Sequence, residues 1–180
     1  MMPKEREVWD ACDKQGNKLG FDLYRDAVSS FPADAYHIVV EVCTFTTGGT
    51  VLVTQRHPSK PWGLKWEITG GSILKGETPE QGAVRELWEE TGLCVAPSDL
   101  HPVYVYCDNI HSIYHCYAVL IDGFRPAIRL QDGETVDFRF VPYPEFCAMI
   151  QSDAFSSPGQ ERLLFHMAEL KRAFAHLYRP

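Results

Sequence analysis

The chain has no apolar run approaching the roughly 20 residues that span a bilayer. It also has no run of lysines and arginines of the kind that follows a nucleic-acid backbone. The first absence excludes a helical membrane protein. The second argues against a nucleic-acid polymer as partner. No C-x-x-C pair occurs among the six cysteines, Cys12, Cys43, Cys94, Cys107, Cys116 and Cys147. Most of them neighbour apolar residues, where a free thiol behaves as a small hydrophobe, so no disulfide framework is expected. His111 and His115 lie near Cys107 and Cys116, but no zinc-ligand spacing repeats elsewhere. Internal repeats and low-complexity tracts are missing too. The opening Met1-Met2-Pro3-Lys4-Glu5-Arg6-Glu7 turns charged at once, without an apolar signal core. A cytoplasmic protein is the expectation.

What is present fits one domain of ordinary composition. The chain has 180 residues, 45% hydrophobic and 23% charged, enough to bury a core without staples. Its formal net charge is -7. An acidic chain can still bind a small phosphorylated molecule, but it then needs a divalent cation to offset the repulsion.

The patterning predicts strands at both ends of one central helix. Glu7–Asp13 and Lys18–Arg25 flank the turn residues Lys14-Gln15-Gly16-Asn17 and read as an N-terminal hairpin. Residues 29–34 read as a linker. His37–Phe45 is rich in β-branched residues, and Val51–Arg56 returns after Thr47-Gly48-Gly49. Trp66-Glu67-Ile68 is a short strand leading to Gly70-Gly71. Thr78–Thr91 is helical, with Thr78 as N-cap, Pro79 in the first turn, Gln81 completing a capping box and Gly92 as the stop. Ala83, Val84, Leu87 and Trp88 form its apolar stripe. Strands follow at Val103–Cys107, Ile113–Ile121 and Val136–Val141, then a short helix to Ile150. A last helix runs from about Ser156 to Tyr178, with Leu163, Leu164, Met167, Leu170, Phe174 and Leu177 on one side. Such an order predicts an α+β fold, a mixed sheet with helices packed on it.

The chemistry concentrates on the central helix. Glu86, Glu89 and Glu90 lie at i, i+3 and i+4 and share a face. Like charges there repel, and they stand near the helix C-terminus, the wrong end for anions. A purely structural helix would gain by exchanging one of them for lysine. A hard divalent cation resolves the conflict, since Mg²⁺ prefers carboxylate and phosphate oxygens.

The whole stretch resembles the Nudix box. That box has Gly, five residues, Glu, seven residues, Arg-Glu, an aliphatic, any residue, Glu-Glu, any residue, Gly and an aliphatic. Gly71, Glu77, Arg85, Glu86, Leu87, Glu89, Glu90, Gly92 and Leu93 fill every slot. The resemblance covers roughly residues 37–150 and implies an α/β/α sandwich with a mixed β-sheet. The chain is then one Nudix hydrolase domain over residues 1–180, with an N-terminal hairpin extension (1–36), a core (37–150) and a C-terminal helix (151–180).

The resemblance also implies the chemistry. Glu86, Glu89, Glu90 and the Gly70 carbonyl would hold Mg²⁺ or Mn²⁺. Arg85 would pair with the box carboxylates, Glu77 first, and fix their rotamers. A carboxylate would deprotonate the attacking water, with Glu86 and Glu134 as the candidates. Arg56, Lys60, Lys65, Trp62, Trp66, Tyr104 and Tyr106 are candidates for substrate contact, with Arg56, Lys65 and Trp66 foremost. The expected substrate is a small nucleotide-like diphosphate, and the hairpin could pair across a homodimer. The hairpin, and Gln55-Arg56 with Lys60 and Trp66 after it, are also similar to the isopentenyl diphosphate isomerase branch. That isomerase needs a cysteine and a ligand histidine where this chain has Lys65-Trp66-Glu67-Ile68-Thr69-Gly70-Gly71. A non-catalytic nucleotide sensor is the third reading.

Overall fold

The computed structural model describes residues 6–123 and 126–178, so the expectation for Met1–Glu5 lies outside the described residues. Strands β1 (Val8–Cys12) and β2 (Lys18–Tyr24) form the predicted hairpin. Its turn is held by Asp13, whose Oδ1 accepts the amides of Gln15 and Asn17 at 2.9 Å each.

The main sheet is built on β3 (His37–Thr46), whose β-branched run is buried almost throughout. One edge of β3 pairs in parallel with β8 (Ser112–Ile121) along its whole length. The other edge is divided. Phe45 faces Val51 of β4 (Thr50–Arg56), while Val39–Val42 pair with β6 (Thr69–Ser72). Strand β4 therefore diverges from β3 and pairs with β5 (Trp66–Glu67) and β9 (Thr135–Pro142). Strand β7 (His101–Cys107) closes the far edge against β8. One parallel pair among antiparallel ones makes the sheet mixed, as the patterning predicts.

Strand alternation sends neighbouring residues of β3 to opposite faces. Val40 and Val42 join Ala83 and Leu87 of helix α1 (Pro79–Thr91) in one core. Cys43 and Phe45 join the other core, with Phe146 of α2 (Tyr143–Met149), Leu163 of α3 (Ser157–Phe165) and Leu170 of α4 (Met167–Leu177). The result is the expected α/β/α sandwich.

Helix α1 has the predicted ends. Thr78 and Gln81 form the capping box, and Gly92 takes a left-handed conformation with φ of 74°. Gly82, in its first turn, is needed for contact: a Cβ there would stand 2.4 Å from the Ile73 side chain.

Three expectations change. Trp88 is 46% exposed rather than part of the buried stripe. The buried positions of α1 are Gly82, Ala83, Leu87, Glu90 and Thr91, which places Trp88 on the flank, where the Arg129 guanidinium covers its ring at 5.4 Å. The last helix is two helices, broken at His166 (φ -102°, ψ 23°). The His166 ring stacks on Tyr104 at 4.1 Å. Leu164, expected inward, is exposed.

The hairpin is fastened to the loop that leads into α1. Lys75 N donates to the Val8 carbonyl at 2.9 Å. Gly76 N donates to Asp10 Oδ2, and Lys75 Nζ to Asp22, at 2.8 Å each. Behind it, Trp9 stacks on His37 at 4.1 Å. His37 is buried, and its Nδ1 donates to the His111 carbonyl at 2.9 Å. Burial lowers the His37 pKa from 6.5 to about 4, against the opposing pull of that carbonyl.

The unfolded chain thus takes up a proton below about pH 6.5 while folded His37 resists until about pH 4. The stability in question is complete above that window and declines as pH falls through it, by up to about 3 kcal/mol. Urea unfolding at pH 7 and pH 4.5 should show a larger loss for the wild type than for His37→Phe. Equal losses would mean that His37 does not couple protonation to folding.

Candidate active site

Arg85 organises the acidic helix. Its Nε and Nη2 donate to the two oxygens of Glu77 at 2.8 and 3.0 Å, a bidentate pair. Nη1 reaches Glu86 Oε1 at 2.8 Å and Glu89 Oε2 at 3.1 Å, and Nη2 also donates to the Ser72 carbonyl at 3.0 Å. Glu77 receives a further hydrogen bond from the Leu74 amide at 2.7 Å. One guanidinium therefore ties strand β6, the following loop and two carboxylates of the helix together. Burial works against the Arg85 cation, but the Glu77 hydrogen bonds and the Glu86 charge outweigh it, and its pKa stands above the ordinary value. For Glu77, burial is likewise outweighed by Arg85, and the pKa is lowered.

The glycine pair brings the strand onto the helix. In β6, Gly71 pairs with Val40 and Gly70 with Glu41. A Cβ on Gly71 would stand 2.3 Å from the Glu86 carboxyl carbon and 2.4 Å from each of its oxygens. A Cβ on Gly70 would stand 2.7 Å from the Val40 carbonyl oxygen. Only glycine admits this approach.

The remaining carboxylates form a buried acidic group. Glu90 is 6% exposed, and among the described residues its Oε2 has no hydrogen-bond partner. Burial first, then the charges of Glu67 and Glu86, raise its pKa well above the ordinary value. Glu86 is also raised, by burial against the opposing charge of Arg85. Glu67 is raised by burial although Arg56 is ion-paired with it. Lys60 is ion-paired with Glu134, and His57 N donates to the Glu134 carbonyl at 2.9 Å.

A buried carboxylate oxygen with no donor, surrounded by other carboxylates, is costly unless a cation joins it. The donor set is all oxygen, which suits Mg²⁺ or Mn²⁺. Among the described residues no three acidic, histidine or cysteine side chains already form a cage, and Arg85 occupies one oxygen each of Glu86 and Glu89. Mg²⁺ is suited to such a partial site, since it keeps waters and takes phosphate oxygens as ligands.

Arg85 joins Glu86 and Glu89, Glu90 lies near enough to Glu86 to feel its charge, and Gly71, next to Gly70, packs on the Glu86 carboxylate. Arg56 lies beside them, held to Glu67 and to the Pro61 carbonyl. Lys65 instead donates to the Asp153 carbonyl, ahead of α3. Trp66 is packed in the core beneath the Arg139 guanidinium. Tyr104 is buried, with its hydroxyl 2.7 Å from Glu41 Oε2, whereas Trp62 is half exposed. Three features escaped the sequence reading. Glu67 belongs to the acidic group, and its only signal is an acid in a strand just before the glycine pair. Arg25, ion-paired with Glu7, feels the charges of Glu134 and Glu86 from the hairpin. Glu41 and Arg162, 121 residues apart, form a buried ion pair, which nothing in the local pattern announces.

Residues 35–162 match the NUDIX domain. A Nudix hydrolase of Listeria monocytogenes is 32% identical over 152 residues, 83% of this chain and 88% of that protein. Among solved structures, a Deinococcus radiodurans protein superposes with a TM-score of 0.65 at 18% identity, covering 96% of this chain and 100% of that one. A bifunctional NMN adenylyltransferase/ADP ribose pyrophosphatase of Francisella tularensis, complexed with AMP and a manganese ion, gives 0.57 at 19% identity, over 74% of this chain and 42% of that one. With the box residues assembled around Arg85, and the sandwich that carries them, the chain belongs to the Nudix hydrolase family.

Proposed function

We propose that this Nudix hydrolase is a Mg²⁺- or Mn²⁺-dependent pyrophosphohydrolase that cleaves a nucleoside diphosphate-linked small molecule. The observation that carries the reading is the buried Glu90 oxygen, without a hydrogen-bond partner among the described residues, where the charges of Glu67 and Glu86 outweigh that of Lys60. Manganese and AMP in the Francisella structure support the choice of metal and substrate class.

Glu86, Glu89 and Glu90, with the Gly70 carbonyl, would hold the metal. A divalent cation bound there neutralises the diphosphate and favours attack at phosphorus. Arg85 holds Glu86 and Glu89 from behind, so their remaining oxygens are pre-set. Glu86 is the better general base of the two candidates. Arg85 uses only its Oε1, which leaves Oε2 free of that cation. Glu134 is engaged by Lys60, which suits it to position that ammonium for a substrate phosphate. The attacking water loses its proton to Glu86 as the anhydride oxygen leaves with the other phosphoryl group.

A panel of nucleoside diphosphate derivatives with Mg²⁺, resolved by chromatography, should yield a cleaved anhydride. Glu86→Gln and Glu89→Gln should lower kcat by about 100-fold or more with the fold intact, and Glu134→Gln by less. Retention of most of kcat in the first two variants would remove the mechanism. Tight binding without cleavage would favour a nucleotide sensor.

Glu90→Gln should raise the Tm of the metal-free chain, because it removes a buried group that resists ionisation. It should also abolish the rise in Tm that Mg²⁺ gives the wild type. An unchanged Mg²⁺ response would place the ion elsewhere.

Gly71→Ala should separate stability from activity. The clash falls on the end of a flexible side chain, so the fold can yield at a cost of about 1 kcal/mol. The displaced Glu86 should cost about 100-fold in kcat. Wild-type kcat in Gly71→Ala would show that the position of Glu86 is immaterial.

A further inference from the structure

Next to the carboxylates, a cavity of about 140 Å³ opens between β3, β6 and the start of α3. Glu67, Gly70 and Arg56 line the side it shares with the active site, and Arg162 and Pro158 line the side it shares with a second cavity. Val39, Ile68 and Phe155 add apolar wall.

Arg162 is fixed unusually well. Its Nε lies 3.1 and 3.3 Å from the two oxygens of Glu41, and its Nη2 lies 2.5 Å from Glu41 Oε1. The guanidinium carbon stands 3.6 Å over the Tyr114 ring. Tyr104 occupies the other Glu41 oxygen at 2.7 Å. An ion pair this buried adds little stability compared with apolar side chains of the same volume, so its retention beside an active site calls for another role. Among the described residues Arg162 Nη1 makes no hydrogen bond, which leaves an edge of the planar fork for a ligand.

We propose that Arg162 is a specificity-determining residue that reads the edge of the substrate's nucleobase in this cavity. The inference rests on the anhydride-cleavage reading for the position of the phosphates. A base stands one sugar away from its phosphates, and the cavity begins where Glu67 and Gly70 end the acidic site. The charge of Arg162 is already balanced by Glu41, and that of Arg56 by Glu67, so the cavity favours a neutral acceptor over a second anion. A guanidinium fork pairs best with two adjacent acceptors, a carbonyl oxygen beside a ring nitrogen. Guanine and cytosine present such an edge. Adenine has no carbonyl. Half-exposed Trp62, on the same cavity, covers the ring from the solvent side.

Binding of GMP, CMP, AMP and ribose 5-phosphate to the full chain with Mg²⁺, followed by calorimetry, tests this apart from turnover. The wild type should bind GMP and CMP about tenfold more tightly than AMP. Arg162→Lys keeps a cation for Glu41 but loses the fork, and should bring the three within about twofold of each other. Ribose 5-phosphate affinity should not change. The double variant Glu41→Gln/Arg162→Gln, which leaves no buried charge unpaired, should behave likewise. Equal affinities in the wild type, the same preference in both variants, or a loss shared by ribose 5-phosphate would overturn the assignment. Base-selective binding that depends on Arg162, without hydrolysis of the corresponding diphosphates, would sustain this site and overturn the cleavage reading instead.

Discussion

A single guanidinium holds the acidic helix, the preceding loop and strand β6 in one arrangement. Arg85 spends its fork on Glu77, its remaining edge on Glu86 and Glu89, and one more hydrogen on the Ser72 carbonyl. Each acid alone would be a repelling charge on a crowded face. Bound to a common cation, they become a set of oxygens with fixed directions. The arrangement is asymmetric: Glu77 is fully engaged, whereas Glu86 and Glu89 each keep one oxygen off Arg85. Carboxylates of the same type are thus divided, by their place around one side chain, into one that is fully held and two that each keep an oxygen available.

The sandwich supplies what Arg85 cannot. Strand β3 pairs with β8 along one edge and divides the other between β4 and β6. That division opens the sheet where the glycine pair lies, and it is the reason β6 can run under the helix. Strand alternation then sends Glu41 to the face opposite Val40 and Val42, toward α3. Neighbouring residues of β3 thus support the acidic helix on one face and the Glu41–Arg162 pair on the other.

Much of this could be read from the residues in order. The helix ends followed from Thr78, Pro79, Gln81 and Gly92, because capping is a local interaction. The clustering of Glu86, Glu89 and Glu90 followed from helical spacing. The hairpin and a mixed sheet with helices packed on it were legible from alternation and turn residues, whereas the α/β/α sandwich came from the resemblance to the Nudix box. What escaped depends on contacts between distant segments. Arg162 finds Glu41 across 121 residues of sequence, and Arg25 approaches the site from the hairpin. Trp88 resembled a core residue because its type is apolar, yet its angle on α1 places it on the flank. The break at His166 was invisible because the side-chain pattern continues through it, while the His166 ring lies flat on Tyr104.

The attachment of the hairpin to Lys75 and Gly76 has a consequence for how the chain tolerates change. The segment between β6 and α1 carries Glu77, and Val8, Asp10 and Asp22 grip it from outside. Altering the length of that segment, or of the turn joining β1 to β2, shifts two registers together. The N-terminal strands therefore act as a splint, and damage to residues with no chemistry of their own is felt at the carboxylates they never touch.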